Sequence, residues 1–288
     1  MTAFVKMHGC GNDFVVLRHA DLEAFHFDSA SLPRFVRDVC DRHHGLGADG
    51  LLTYATLSGE RLRMHYWNRD GSRAEMCGNG ARCVVRLAWE RSEVGSPLEL
   101  ETDAGTHAAA MLPRPPAPPW VEIEMGAPRW DGASVGLRDG SNLLDTPLDL
   151  GAGELRVTAL DLGNPHAVVF VRDRAALAAV ELEATGRALA EHPLFRRGAN
   201  ASFVAVEGNA LHLRVFERGV GPTLACGSAS CAAFAAATRL GLLTASAGSV
   251  HLPGGSVEVR ADADGRLWLR GPALRVAAGT LDPECLGV

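Results

Sequence analysis

Lysine is nearly missing from this chain. Among 28 basic residues in 288, Lys6 is the only lysine; the rest are arginine. A pyridoxal-phosphate enzyme needs a lysine for its Schiff base. Only Lys6 could serve, in a short N-terminal strand with no supporting motif, so amino-acid chemistry here would proceed without that cofactor. There is no CxxC pair among the seven cysteines, which argues against a zinc ribbon or a thioredoxin-type site. No apolar run approaches the roughly 18 residues needed to cross a bilayer. The opening residues, MTAFVKMHGCGNDF, show no basic segment followed by a long apolar one, so a cytoplasmic protein without membrane contact is expected. The net charge of −6 comes with no basic face, which speaks against nucleic acid as a partner.

What is present describes a globular chain, 47% apolar and 22% charged. Period-two alternation recurs. Leu98 and Leu100 alternate with Glu99 and Glu101; Val121, Ile123 and Met125 with Glu122 and Glu124; Leu211, Leu213 and Val215 with His212 and Arg214. Such alternation predicts half-buried antiparallel strands. Helices are predicted over 30–43, capped by Ser29 or Ser31 and stopped at Gly45, and over 80–91, 174–190 and 230–240. The last is apolar almost all round and should be deeply buried. Five prolines in Pro113–Pro119 predict a stiff extended connector between two sheet-rich domains.

The two halves echo each other. Met76-Cys77-Gly78-Asn79-Gly80-Ala81-Arg82-Cys83 is matched half a chain later by Ala225-Cys226-Gly227-Ser228-Ala229-Ser230-Cys231. Each reads as a Cys-Gly turn after a strand and before a helix, which points to a duplicated fold. A cysteine at a helix start meets unpaired N–H groups and the positive end of the dipole, and both favour thiolate. The same N–H groups can hold a carboxylate. Two such sites facing each other across a domain cleft would suit a two-base 1,1-proton transfer. One thiolate removes the α-proton and a thiol on the other face returns one. Cys83 and Cys231 read as packing, as do Cys40 and Cys285.

The motifs resemble those of the diaminopimelate epimerase family of cofactor-independent amino-acid racemases. Met7-His8-Gly9-Cys10-Gly11-Asn12-Asp13-Phe14 is similar to the family's N-terminal signature. Asn68-Arg69-Asp70-Gly71-Ser72 through Cys77-Gly78-Asn79-Gly80 to Arg82-Cys83 is similar to its first-cysteine motif. Gly163-Asn164-Pro165-His166 and Arg197-Gly198-Ala199-Asn200 resemble its central elements. Glu217-Arg218-Gly219 through Thr223-Leu224-Ala225-Cys226-Gly227-Ser228 resembles its second-cysteine motif. The matches run in order from residue 7 to residue 231.

The resemblance implies an α+β fold of two similar domains, each mostly antiparallel strands wrapped around a central helix. It divides the chain into 1–118 with 272–288, carrying Cys77, and 119–271, carrying Cys226. It implies a homodimer and no cofactor or metal. The activity implied is the interconversion of LL- and meso-diaminopimelate, in lysine and peptidoglycan precursor synthesis. Cys77 and Cys226 would be the acid–base pair. Gly78 with Asn79, and Gly227 with Ser228, would hold the reacting carboxylate. Asn12, Asn68, Asn164 and Asn200 would fix ammonium and carboxylate groups. Arg218 would grip the distal carboxylate bidentately and Glu217 would accept from an ammonium. His166 and Glu217 would set the thiol–thiolate balance. Asp13 and Asp70 read as turn residues.

Three positions depart from the family pattern. Ala229 stands where glycine is frequent, Gly50 where some members carry glutamine, and Cys10 at a variable position. Other readings are a proline or histidine racemase of the same plan, a non-catalytic small-molecule binder, and a thiol redox sensor.

Overall fold

The computed structural model describes residues 2–28, 30–151 and 153–282. Cys285 and Ser29 lie outside the described residues. The chain divides into two compact units, Met1–Ile123 with Gly271–Val288, and Glu124–Arg270.

In the first unit, strand Thr2–Gly9 pairs antiparallel with Asn12–Arg18 and with Leu274–Leu281. Asn12–Arg18 runs parallel to Gly50–Ser58, which forms a hairpin with Arg61–Asn68. Arg61–Asn68 pairs with the short strand Arg73–Ala74 and runs parallel to Leu98–Thr102. Two antiparallel steps follow, to Gly105–Arg114 and then to Ala117–Gly126.

The second unit repeats that order of pairings. Glu154–Asp161 and Pro165–Val171 are antiparallel, and Pro165–Val171 runs parallel to Asn200–Glu207. Asn200–Glu207 forms a hairpin with Ala210–Glu217, which takes the short strand Gly221–Thr223 and runs parallel to Ala247–Leu252. Two antiparallel steps again follow, to Gly255–Ala261 and Leu267–Pro272. The architecture is α+β and mainly antiparallel, with one long helix following the short strand in each unit.

Those helices are Gly78–Glu90 and Gly227–Arg239. Ala229, Ala232, Ala233, Ala236 and Ala237 are fully buried, as the apolar surface of the second helix predicts. Small side chains let surrounding strands approach from every side, and Phe234 supplies bulk. The first helix carries a surprise: Arg82 is also fully buried.

Three sequence expectations need correction. The prolines near residue 115 form a hairpin turn rather than a connector. Arg114 pairs with Ala117, and the register shift between Leu112 and Arg114 lies where Pro113 faces Pro118 and Pro119. Turns and bulges spare a proline the ladder hydrogen bond that it cannot donate. The units part at Ile123/Glu124, within the strand Ala117–Gly126 that this turn opens. The helix expected over 174–190 is three pieces: Arg174–Ala178, a π-turn over Leu182–Gly186, and Arg187–Ala190. Asp173 caps the first by accepting from Ala176 N. At the π-turn a Cβ on Gly186 would stand 2.7 Å from Phe216 Cβ, so the backbone is pressed onto that ring. Finally, helix Ser31–Cys40 has Ala30 at its N-cap with no side-chain cap, and Asp28 just ahead accepts through Oδ1 from the N–H groups of Ala30 and Ser31. Its chain turns extended at Asp41, ahead of the expected stop at Gly45.

Candidate active site

Both cysteines that open the long helices take nearly the same backbone geometry. Cys77 has φ −143 and ψ 115; Cys226 has φ −134 and ψ 117. Each is the residue before the first helical turn. The leading N–H groups of a helix have no intrahelical acceptor, so a partial positive charge collects around each sulfur. Cys77 is half-buried and Cys226 is 7% exposed.

In the first unit a tight turn at Cys10 (φ 52) and Gly11 (φ 82) delivers Asn12 to the start of its strand. The Asn12 side chain meets the Cys77 helix start. Cys77 Sγ donates to Asn12 Oδ1 at 3.7 Å, and Asn79 Nδ2 donates to the same oxygen at 3.1 Å. Gly9 keeps this contact close: a Cβ there would lie 2.9 Å from Arg82 Nη2 and 3.3 Å from Asn79 Cβ. Gly78 and Asn79 are buried. Asn68 ends its strand opposite Gly50 and donates through Nδ2 to Ser72 Oγ at 3.0 Å. Gly50 has no room for a side chain, since a Cβ would stand 2.5 Å from Trp67 O and 2.6 Å from the Tyr66 ring. Asp70 is a turn residue, accepting from Ser72 N at 2.8 Å.

Asp13 is more than a turn residue. Its carboxylate pairs with Lys6 at 2.7 Å and with Arg42 at 2.8 Å. Burial works against the charge, but hydrogen bonds from Arg42 and Lys6 outweigh it and hold the Asp13 carboxyl down at about 2. Lys6 also donates to Gly47 O, so the only lysine is committed to structure.

In the second unit, parallel pairing places His166 beside Asn200. His166 Nε2 shares a hydrogen bond with Asn164 Oδ1 at 2.9 Å. Burial pulls the His166 imidazole down to about 4, with Asp161 opposing and Arg218 assisting. The ring is therefore neutral near pH 7. With an amide oxygen on Nε2, the proton sits on Nε2. Asn200 Oδ1 accepts from Arg218 N, and Arg218 Nη1 donates to Arg197 O, both at 2.9 Å. Glu217 Oε1 accepts from Thr223 Oγ1 at 2.5 Å. Cys226 Sγ lies 3.5 Å from Ser228 Oγ, and Gly227 is buried beside them. Thr223 belongs to the second-cysteine motif, but its role is not legible there; a hydroxyl six residues after a carboxylate becomes a partner only through the hairpin.

The internal repeat aligns these positions. Asn12, Gly50 and Asn68 lie at the strand ends that recur in the second unit near Asn164, Asn200 and Glu217. Asn79 and Ser228 each follow the helix-start cysteine by two residues. The other thiols among the described residues are unsuited to proton transfer. Burial pushes Cys40 and Cys83 up to about 12 and raises Cys10 against the pull of Arg82. Cys231 is fully buried. Among the described residues no group of three or more His, Cys, Asp or Glu could hold a metal ion.

The family model for diaminopimelate epimerase matches residues 4–130 and 158–276. The chain belongs to the diaminopimelate epimerase family. It is 38% identical to the diaminopimelate epimerase of Desulfitobacterium hafniense, over 98% of this chain and 99% of that protein. It is 36% identical to that of Methanothermobacter thermautotrophicus, again over 98% and 99%. Among solved structures, a probable proline racemase from Agrobacterium radiobacter matches with a TM-score of 0.71 at 15% identity, over 99% of this chain and 96% of that one. A PhzF-family phenazine biosynthesis protein of Bacillus anthracis matches with a TM-score of 0.67 at 17% identity, over 96% and 98%. At such identities the likeness is one of fold. Among the described residues no helix is long and apolar enough to cross a membrane.

Proposed function

We propose that this chain interconverts LL- and meso-diaminopimelate, with Cys77 and Cys226 as its two bases. The observation that carries this reading is the repeated helix start. Two cysteines, one per unit, stand at matched backbone geometry ahead of buried glycines, in a chain of this family.

The α-carboxylate would lie on the N–H groups at Gly78, Asn79, Gly227 and Ser228. Those dipoles stabilise the charge that flows into the carboxylate as the α-proton leaves. One sulfur, as thiolate, takes that proton and becomes a thiol. The other, as thiol, gives its proton to the opposite face and becomes a thiolate. The carbon is inverted and the two sulfurs exchange states, so the reverse reaction starts where the forward one ends. Asn12, Asn68, Asn164 and Asn200 fix the amino and carboxylate groups without adding charge. Glu217, steadied by Thr223, receives an ammonium. Arg218 takes the distal carboxylate. His166, being neutral, acts on its surroundings through hydrogen bonds rather than as a cation. The reaction needs no cofactor, and the chain is expected to work as a cytoplasmic homodimer.

The test is incubation of the reduced protein with LL-diaminopimelate in heavy water, without added pyridoxal phosphate and with chelator. Appearance of the meso isomer with one α-deuterium supports the reading. Turnover of proline or histidine but not diaminopimelate would replace it.

A further inference from the structure

Asn12 has an amide with two donors at one end and one oxygen at the other, and its neighbours decide which end faces Cys77. Asp49 Oδ2 accepts from Asn12 Nδ2 at 2.9 Å and from Asp13 N at 3.2 Å. A carboxylate has no proton to return, so the amide nitrogen is tied to that side. The oxygen must then turn toward Cys77 and Asn79.

The far end of the chain is fixed by the opposite rule. Arg82 Nη2 donates to Asn79 Oδ1 at 2.7 Å. A guanidinium cannot accept, so Asn79 must turn its Nδ2 onto Asn12. Arg82 is itself anchored on Gly78 O at 3.3 Å and Pro272 O at 3.2 Å. With an obligate donor at one end and an obligate acceptor at the other, the hydrogen bonds run in one sense: Arg82 to Asn79 to Asn12 to Asp49. Arg42, bridging Asp49 and Asp13 at 2.8 Å, holds the acceptor end in place.

We propose that Asp49 and Arg82 are positioning residues for Cys77, locking the Asn12 amide with its oxygen toward the sulfur. An oxygen there accepts from the S–H and favours the thiol, whereas the helix start favours the thiolate. The lock thus tempers the acidity that the helix confers. Its meaning for turnover rests on Cys77 being a reacting group; its effect on the thiol does not.

Cys77 is half-buried, so its acidity is readable from the pH dependence of alkylation by iodoacetamide, with the Cys77 peptide followed by mass. Asp49→Asn is nearly isosteric but introduces a donor, so only the Arg82 end still sets the sense of the chain, and Asn12 can present its NH2 to the sulfur once Asn79 gives up its hydrogen bond. The alkylation midpoint should fall by roughly one pH unit, giving about tenfold faster labelling below it. Loss of a negative charge would push in the same direction, so the substitution is repeated in an Asn12→Ala background. There the amide is gone and Asp49→Asn should move the midpoint little. Equal shifts in both backgrounds would mean charge alone, and no shift in the first would mean no lock; either overturns the proposal. Asp49→Ser, with a hydroxyl that also donates, carries the same test if Asp49→Asn does not fold. Labelling needs no turnover, so a chain that shows this cycle yet does not epimerise diaminopimelate keeps the lock and loses the proposed function.

Discussion

Arg218→Lys probes the far end of the proposed substrate. Arg218 is held at two points: its backbone N–H on Asn200 and one Nη1 hydrogen on Arg197 O. The rest of the guanidinium edge remains to meet a carboxylate with two parallel hydrogen bonds. Lysine keeps the charge but offers a single ammonium with no fixed plane. If that ammonium stays on the Arg197 carbonyl, it reaches the carboxylate at one point only. One charge-assisted hydrogen bond is then lost, worth on the order of 1.5–3 kcal/mol. Arg218 is exposed, so solvent screening favours the lower part of that range. A loss of about 2 kcal/mol corresponds to roughly 30-fold in kcat/KM. The distal carboxylate is remote from the α-carbon, so the contact is shared by ground and transition states and the loss should appear mainly in KM. The assay is the initial rate of meso-isomer formation over a range of LL-diaminopimelate concentrations, repeated at raised salt, which should weaken binding further. A kcat/KM within a factor of two of the unmodified chain would show that the distal carboxylate is gripped elsewhere. A loss confined to kcat would place Arg218 at the reacting centre.

Cys77→Ser and Cys226→Ser should each abolish epimerisation yet keep face-selective deuterium exchange or elimination from a β-halogenated analogue, with opposite preferences for the starting isomer. The same preference in both would dispose of the two-thiol assignment. His166 titrates near 4 when folded and near 6.5 when unfolded, so the unfolded chain binds the extra proton between those values. Stability should be full above pH 6.5 and fall as pH drops toward 4, by up to about 3 kcal/mol from this residue. His166→Gln should flatten that part of the Tm-against-pH curve; an unchanged slope would exclude His166 as its source. Gly50→Ala should destabilise by about 1–3 kcal/mol, because its Cβ meets a backbone carbonyl that cannot swing aside. Thermal unfolding reads it, and an unchanged Tm would mean the strand pair relaxes freely.

Strands were legible wherever burial is one-sided. Leu98 and Leu100 are buried and Glu99 exposed; Leu211, Leu213 and Val215 are buried between half-buried neighbours. The prolines misled because their two structural uses look alike in sequence: a missing N–H suits a connector and a hairpin turn equally. The stretch 174–190 misled because Ala and Leu report helix propensity but not where a neighbouring strand presses. The clash that makes Gly186 necessary comes from Phe216, thirty residues away. At the site, the cysteines and asparagines announce themselves through glycine-rich motifs. Arg82 and Asp49 do not. Arginine is ordinarily a surface residue, and nothing along the chain marks this one as fully buried. Asp49 reaches Asn12 only because the Asn12–Arg18 and Gly50–Ser58 strands run side by side.

Duplication alone would give the two thiols one environment, and a two-base reaction needs a thiol and a thiolate at the same moment. The backbone does treat them alike, with matched dihedral angles at matched helix starts. Difference enters through side chains. Two residues after the cysteine stand Asn79 in one unit and Ser228 in the other; five residues after it stand Arg82 and Cys231. The first unit thereby turns an amide oxygen toward its sulfur, and that oxygen can only accept. The second sets a hydroxyl 3.5 Å from its sulfur, and a hydroxyl can donate to a thiolate or accept from a thiol. Cys226 can therefore change state without a rearrangement of its neighbour, while Cys77 has a neighbour that favours one state. The proton that distinguishes the forward from the reverse enzyme should accordingly rest more on Cys77, and Asp49→Asn should even out that preference.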